Sequence, residues 1–143
     1  MSTSPDRIVV AGVCLRDDAG RVLSVRKAGT RRFMLPGGKL EPGESAAEAA
    51  VREVREEIGL VLDEVRLLGE FTSDTANEPG VVLESTVFTA ELTGTPRAAA
   101  EIAELRWIDA DATGDDLAPL LRDHVLPALA ALETRHGELK KPV

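Results

Sequence analysis

Three glutamates of the chain, Glu53, Glu56 and Glu57, are separated by three, one and four positions. Residues at these separations share one face of an α-helix, so the three carboxylates are predicted to lie within an arc of about 100°. Carboxylate oxygens in such an array suit Mg²⁺, or alternatively Mn²⁺, because both ions prefer oxygen ligands and retain waters that phosphate oxygens can displace. The competing interpretation is a solvated charged face, helped by Glu48–Arg52 and Arg52–Glu56 pairs.

A glycine-rich segment directly precedes these carboxylates and favours the metal-site interpretation. Residues 36–44 contain three glycines and two prolines, a composition that predicts a loop with no regular element. Glycines allow a backbone to approach a bound group closely, and this loop ends where the helix is predicted to begin. Loop and helix are therefore expected to form one site.

Together the loop and the helix carry a specific motif. Gly38 is followed after five residues by Glu44, and after seven more by the run REVREEIGL at residues 52–60. In this pattern the chain resembles the Nudix hydrolases, whose signature it matches at every position over 23 of the 143 residues. The order of the flanking strands also resembles that family, and features outside the motif favour its MutT-like branch.

The resemblance implies an α/β fold, a Nudix-type α/β/α sandwich with a mixed central sheet and flanking helices. It also implies a role for each acidic residue of the motif. Glu53, Glu56 and Glu57 are implied to bind divalent metal together with the carbonyl of Gly37. The ion would then connect the loop to the helix.

The same resemblance implies roles for further residues. Glu44 and Arg52 are implied to form a buried pair that fixes the loop against the helix, rather than an ordinary surface pair. Glu101, in the loop before a strand that contains tryptophan, is implied as a further metal ligand or as the catalytic base. Glu53 is the other candidate for the base. The alternative for Glu101 and Glu104 is that both are solvated loop charges.

Two cations are candidates for contacts with substrate phosphates. Arg26 lies at the end of the second predicted strand, a position that resembles a phosphate contact of the MutT-like branch, and Lys39 lies in the loop beside it. The alternative for each is a plain surface cation. The resemblance implies hydrolysis of a phosphoanhydride, and these residue types suit that reaction because it requires charge screening and a group that takes a proton from water.

The expected substrate is a nucleoside triphosphate or a related nucleoside-diphosphate-linked compound, cleaved to a nucleoside monophosphate and a second phosphate product. Among the Nudix hydrolases that the chain resembles, those acting on dinucleoside polyphosphates tend to carry a tyrosine after the motif, and those acting on ADP-ribose a proline closer to it. This chain has no tyrosine, and its proline at position 79 lies nineteen residues beyond Leu60, so the resemblance disfavours both substrates. ADP-ribose or a nucleotide sugar is the runner-up substrate. A nucleotide-sensing domain without catalysis and an isomerase of diphosphate esters are the remaining alternatives. The aromatic residues that could stack on a base, or else belong to the core, are Phe33, Phe71, Phe88 and Trp107.

The elements that must position this site follow from hydrophobic patterning. Residues 8–15 and 21–25 predict two strands, joined as a hairpin by the turn at 16–20. Ser45 and Glu48 have the spacing of a capping box, which predicts a helix over 46–58 that ends at Gly59. Strands are also predicted at 65–71, 81–92 and 105–108, and helix at 115–135, where Pro119 and Pro127 indicate one short and one longer segment. This order predicts a mixed sheet with helices on both faces.

Length and composition predict a single domain over residues 1–143, with short flexible tails at about 1–5 and 137–143. Seventeen Lys and Arg against 25 Asp and Glu give a net charge of −8, which argues against nucleic acid or an anionic membrane as a partner. The single cysteine, Cys14, excludes an internal disulfide and favours a cytoplasmic location. The expected partner is a small-molecule nucleotide, with a homodimer left open.

Overall fold

The computed structural model describes residues 6–74 and 80–132. In chain order the elements are β1 (Asp6–Leu15), β2 (Val22–Lys27), β3 (Gly37–Lys39), α1 (Ala46–Ile58), β4 (Arg66–Asp74), β5 (Val81–Ala90) and β6 (Ile102–Ile108). A C-terminal helix follows, with a π-helical segment at Leu120–Val125 that continues as α-helix over residues 126–132. Both predicted tails lie outside the described residues.

Four strands form a mixed sheet in the order β3-β1-β5-β4, while β2 and β6 pair as a separate antiparallel ribbon. β1 runs parallel to β5 and antiparallel to β3, so that Gly37 lies opposite Gly12. Parallel strands need a long crossover connection, and the segment between β1 and β5 contains α1. The predicted α/β class with a mixed sheet is confirmed.

Successive residues of β1 point to opposite faces of the sheet, and each face carries its own hydrophobic cluster. On one face Val13 is fully buried in a cluster that includes Val54 of α1. On the other face Cys14 is fully buried in a cluster that includes Leu121 of the C-terminal helix. The helices therefore cover opposite faces, as the order of elements predicted.

The ends of α1 are those that the sequence predicted. The Ser45 side chain accepts a hydrogen bond from the backbone N–H of Glu48 at 3.1 Å, and the Glu48 carboxylate accepts one from the Ser45 N–H at 3.0 Å. Gly59 has the left-handed φ of 73° and donates to the Arg55 carbonyl at 3.1 Å. Because both ends are capped, the register of the carboxylates along the helix is fixed.

Two predictions for the N-terminal half are wrong. β1 and β2 do not form a hairpin: apart from one bridge between Arg16 and Val22 the two strands separate, because β3 and β5 occupy the two edges of β1. The glycine-rich segment does contain a regular element, since Gly37–Lys39 pairs with β1 as β3. A Cβ at Gly37 would lie 2.1 Å from the carbonyl oxygen of Ala11, so only glycine allows this close pairing.

The C-terminal helix begins later than predicted. Residues 115–118 form a turn and a short bridge, in which Leu117 pairs with Phe33. The predicted division into a short and a longer segment is wrong, because Pro127 lies inside one continuous helix, two residues after the π-helical segment ends. The wider π-helical turn allows the chain to continue past a residue that lacks an N–H. Residues 133–135 of the predicted helix lie outside the described residues. Within the described part of the chain, no helix combines the length and apolar character that crossing a membrane requires.

Candidate active site

Gly37 ties the glycine-rich loop to α1. Its N–H donates a 2.9 Å hydrogen bond to Oε1 of Glu57, a residue that is only 2% exposed. Oε2 of Glu57 is buried and has no hydrogen-bond partner. Burial raises the pKa of Glu57 to about 7, and the bond from Gly37 offsets only part of this rise. A buried carboxylate with one unsatisfied oxygen is the environment that a bound cation would stabilise.

Gly38 provides space for the carboxylate of Glu53. A Cβ at position 38 would lie 2.7 Å from Cδ of Glu53 and 2.8 and 2.9 Å from its two oxygens. Real side chains do not approach so closely, so the Glu53 carboxylate lies directly against the loop backbone. This contact explains in physical terms why glycine is needed immediately before Lys39 in the loop.

Arg52 connects the loop to α1 on the other side. Its Nε and Nη2 donate to the two carboxylate oxygens of Glu44 at 2.7 and 2.9 Å, a bidentate pair in which both side chains are largely buried. Nη1 donates to Glu53 at 2.8 Å and to Glu56 at 3.3 Å, and Nη2 also donates to the Lys39 carbonyl at 3.1 Å. The Arg52 bonds lower the pKa of Glu44 to about 2. Arg52 thus neutralises part of the charge that the carboxylates concentrate.

A cavity of about 440 Å³ opens beside the loop. Its charged lining residues are Lys27, Lys39, Glu53, Asp74 and Glu101, with the backbone of Gly37 and Gly38 beside them. Its aliphatic lining includes Ile8, Val10, Leu83, Leu120 and Leu121. None of the four aromatic residues considered for base stacking belongs to the lining, and Phe33 and Phe88 are buried in the core. The described residues therefore present a charged loop next to an aliphatic floor.

Glu101 enters this cavity from the loop before β6. The N–H of Ala99 donates to the Glu57 carbonyl at 2.9 Å, and the N–H of Ala28 donates to the Glu101 carbonyl at 2.8 Å. These bonds attach the loop to the C-terminal end of α1 on one side and to the end of β2 on the other. The Glu101 carboxylate is 64% exposed and forms a 3.4 Å ion pair with Lys27. The family resemblance selected Glu101, whereas the bonds that anchor its loop involve only backbone atoms and so leave no pattern in the sequence.

The two cations at the end of β2 have different surroundings. A register shift occurs between Arg26 and Lys27 in the pairing of β2 with β6. Arg26 pairs with Glu104 at 3.3 Å and donates to the Thr30 carbonyl at 3.0 Å, and it is not part of the cavity lining. Lys27 lines the cavity instead. Sequence reasoning selected Arg26 and not Lys27, because strand alternation places neighbouring residues on opposite faces but does not show which face borders a cavity.

The structure brings most of the predicted site residues to the loop at Gly37 and Gly38. Glu53 and Glu101 are close enough to Glu57 for their charges to add to the rise in its pKa. Glu56 is 49% exposed and bonded to Arg52. In the two described ranges, no three acidic, cysteine or histidine side chains already form a group that could hold a metal ion. The predicted donors, carboxylates and the Gly37 carbonyl, are oxygen atoms of the kind that a hard divalent cation prefers.

Comparison with known proteins indicates, over most of the chain, the same family as the sequence motif. The family model described as the NUDIX domain matches residues 6–129. A "MutT-like protein" of Streptomyces ambofaciens is 33% identical over 131 residues, which cover 90% of this chain and 81% of the relative. A "Putative 8-oxo-dGTP diphosphatase" of Bacillus subtilis is 33% identical over 100 residues, 68% of this chain and 64% of the relative. An "RNA pyrophosphohydrolase" of Halorhodospira halophila is 43% identical over 58 residues, 41% of this chain and 32% of the relative.

Solved structures share the fold. The solution structure of the Escherichia coli ORF135 protein superposes with a TM-score of 0.72 at 28% identity, covering 94% of this chain and 96% of that one. The crystal structure of a MutT protein from Methanosarcina mazei superposes with a TM-score of 0.75 at 21% identity, covering 98% of this chain and 100% of that one. The chain therefore belongs to the Nudix family of hydrolases, enzymes that act on pyrophosphate bonds and generally use divalent metal cations.

Proposed function

We propose that this Nudix hydrolase is a Mg²⁺-dependent pyrophosphohydrolase that cleaves a nucleoside triphosphate, or a related nucleoside-diphosphate-linked compound, to a nucleoside monophosphate and a second phosphate product. The observation that carries the proposal is the buried Glu57 carboxylate, bonded to Gly37 through one oxygen and unpartnered at the other. This oxygen lies next to the loop that lines the cavity.

In this proposal Glu53, Glu56, Glu57 and Glu101 hold the ion together with the Gly37 carbonyl. When bound, Mg²⁺ would supply charge neutralisation for the diphosphate and would lower the pKa of a bound water, and Mn²⁺ would supply the same chemistry. The unpaired oxygen of Glu57 and the carboxylate-rich donor set support this assignment.

The chain's own side chains perform the remaining tasks. Lys27 and Lys39 line the cavity and are the cations available there to bind phosphate oxygens. Either Glu53 or Glu101 accepts the proton of the attacking water, since both carboxylates line the same cavity. Arg52 and Gly38 orient Glu53, whereas Lys27 orients Glu101. Glu44 acts indirectly, by holding Arg52 in place.

The size and lining of the cavity support a small nucleotide. A volume of about 440 Å³ is within the usual range for small-molecule sites, and the aliphatic floor could contact the group attached to the diphosphate. The relative named for 8-oxo-dGTP favours a nucleoside triphosphate. The relatives named for RNA match over only 58 residues, and a net charge of −8 disfavours a polynucleotide.

Nucleophilic chemistry at Cys14 finds no support. Burial raises the pKa of its thiol to about 12, so the reactive thiolate is scarce at neutral pH. Of the two histidines, His124 packs against Phe71 with ring centroids 6.0 Å apart, and His136 lies outside the described residues.

Chromatographic identification of the nucleotide and phosphate products from a substrate panel tests the proposal. The panel contains canonical and oxidised nucleoside triphosphates, ADP-ribose, dinucleoside polyphosphates and nucleotide sugars, each with Mg²⁺ and with EDTA. We expect turnover of a triphosphate that requires Mg²⁺. Preferential turnover of ADP-ribose or a nucleotide sugar would replace the proposed substrate class, and binding without any turnover would indicate a nucleotide sensor.

A further inference from the structure

Two segments distant in sequence form adjoining walls of the cavity. Met34 and Leu35 line it from the segment after β2, and Ala118 and Leu120 line it from the start of the C-terminal helix. The walls meet at Phe33. Its N–H donates to the Asp116 carbonyl at 2.7 Å, and its carbonyl accepts from Ala118 at 2.8 Å.

The side chain of Arg106 covers this junction from outside the cavity. Its guanidinium carbon lies 3.9 Å from the centroid of the Phe33 ring, and its Nη1 pairs with the Asp116 carboxylate. Arg106 belongs to β6, and its backbone carbonyl accepts a 2.8 Å hydrogen bond from the hydroxyl of Ser24 on the paired strand β2. This bond fixes the backbone position of Arg106. One cation on a rigid strand thus contacts both walls at once.

We propose that Arg106 is a positioning residue for substrate binding: by contacting Phe33 and Asp116, it holds the two cavity walls at the separation that the substrate requires. The inference rests on the proposed function, because it takes the cavity as the place where the group attached to the diphosphate binds. Arg106 is not part of the lining and acts through its two partners.

The expected size of the effect follows from the exposure of the contacts. Arg106 and Asp116 are 42% and 47% exposed, so the ion pair is partly screened by water. Loss of an exposed cation–π contact together with an exposed ion pair should change the equilibrium between the joined and the separated arrangement of the two walls about five-fold. The proposed metal ligands belong to α1, β3 and the loop before β6. Loss of Arg106 should therefore weaken substrate binding more than it slows the chemical step.

Hydrogen exchange tests the positioning role without any substrate. The variants are Arg106→Met and, as a matched control, Arg66→Met, which removes the exposed ion pair between Arg66, the first residue of β4, and Glu64 in the preceding segment. In Arg106→Met we expect amide protection to fall about five-fold at residues 33–35 and 116–121, with α1 unchanged. A uniform loss across the chain, or no loss at these residues, would overturn the inference.

Steady-state kinetics on the preferred substrate provides the second arm. Arg106→Met should raise KM about five-fold with kcat nearly unchanged, Arg106→Lys should recover part of the loss because it keeps the charge over Phe33, and Arg66→Met should behave as wild type. A lower Tm with unchanged KM would overturn the inference, because it would show a purely structural role. If wild type hydrolyses no compound of the panel, the proposed function fails, while the exchange arm still decides whether Arg106 holds the walls together.

Discussion

The backbone N–H of Gly37 donates a hydrogen bond of 2.9 Å to Oε1 of Glu57, a side chain twenty residues further along the chain. This bond joins β3 to α1 at the position where the loop passes the helical carboxylates. It satisfies one oxygen of a carboxylate that is almost completely buried and leaves the other without a partner. Because burial disfavours the ionised form, the folded protein without metal holds this group with a pKa of about 7.

Stability of the metal-free protein should depend on the protonation of Glu57. Its folded pKa of about 7 is above the ordinary value of 4.5, so the folded state binds more protons between these values. The contribution of protonated Glu57 to the free energy of unfolding is therefore fully present below about pH 4.5 and is lost as the pH rises through 7. Glu57→Gln removes this dependence. The free energy of unfolding of the variant, relative to that of wild type, should therefore rise by about 2 to 3 kcal/mol when the pH is raised from about 5 to about 8.

Urea unfolding in EDTA at these two pH values measures the effect. Glu64→Gln is the control, because Glu64 is 73% exposed in its pair with Arg66. A difference between wild type and Glu57→Gln that stays constant with pH would show that Glu57 titrates normally.

Gly38→Ala should impair the site while leaving the fold intact. The added Cβ would lie 2.7 Å from the Glu53 carboxyl carbon, so the Glu53 side chain must move away from the loop. We expect kcat to fall by about tenfold or more, a loss typical of a displaced catalytic carboxylate. The matched control is Gly94→Ala, whose Cβ would make only a 3.4 Å contact with Leu60. Equal activity of the two variants would mean that the position of Glu53 is unimportant.

The cavity cation Lys27 should matter more than its neighbour Arg26. Lys27→Met removes a charge from the cavity lining, and we expect KM to rise about tenfold, corresponding to one charge-assisted hydrogen bond to phosphate. Arg26→Met removes the pair with Glu104 and the hydrogen bond to the Thr30 carbonyl, both outside the cavity lining, and should change KM less than about twofold. Kinetic constants for the two variants under identical Mg²⁺ decide the comparison. A larger effect at Arg26 would restore the interpretation based on sequence.

Mg²⁺ should raise the Tm of the wild-type protein, because a cation that binds only the folded state stabilises it by mass action. The shift at several millimolar Mg²⁺ should exceed that of matched monovalent salt, and it should shrink in Glu56→Gln, where one of the proposed ligands is neutral. Glu64→Gln should keep the full shift. If Mg²⁺ and monovalent salt act alike on wild type, the carboxylates do not form a metal site.

Features encoded by local sequence were predictable, and features that depend on pairing between distant residues were not. The capping box of Ser45 and Glu48 and the terminal Gly59 predicted the limits of α1, since caps are local hydrogen bonds. The hairpin prediction failed because strand patterning does not show which strand β1 will pair with. The helical glutamates were found from spacing and from the family motif. Lys27 was missed because alternation along β2 does not show which of its faces borders the cavity.

The proposed reaction is tested most directly by hydrolysis in ¹⁸O-water, with the products analysed by mass spectrometry. With a nucleoside triphosphate and Mg²⁺, we expect a nucleoside monophosphate and pyrophosphate, one of them carrying the label, and no reaction in EDTA. This result would place the cleavage at the α–β phosphoanhydride, and the labelled product would identify which of its two phosphorus atoms the water attacks. Nucleoside diphosphate with labelled orthophosphate as the primary products, or full activity in EDTA, would contradict a metal-dependent pyrophosphohydrolase.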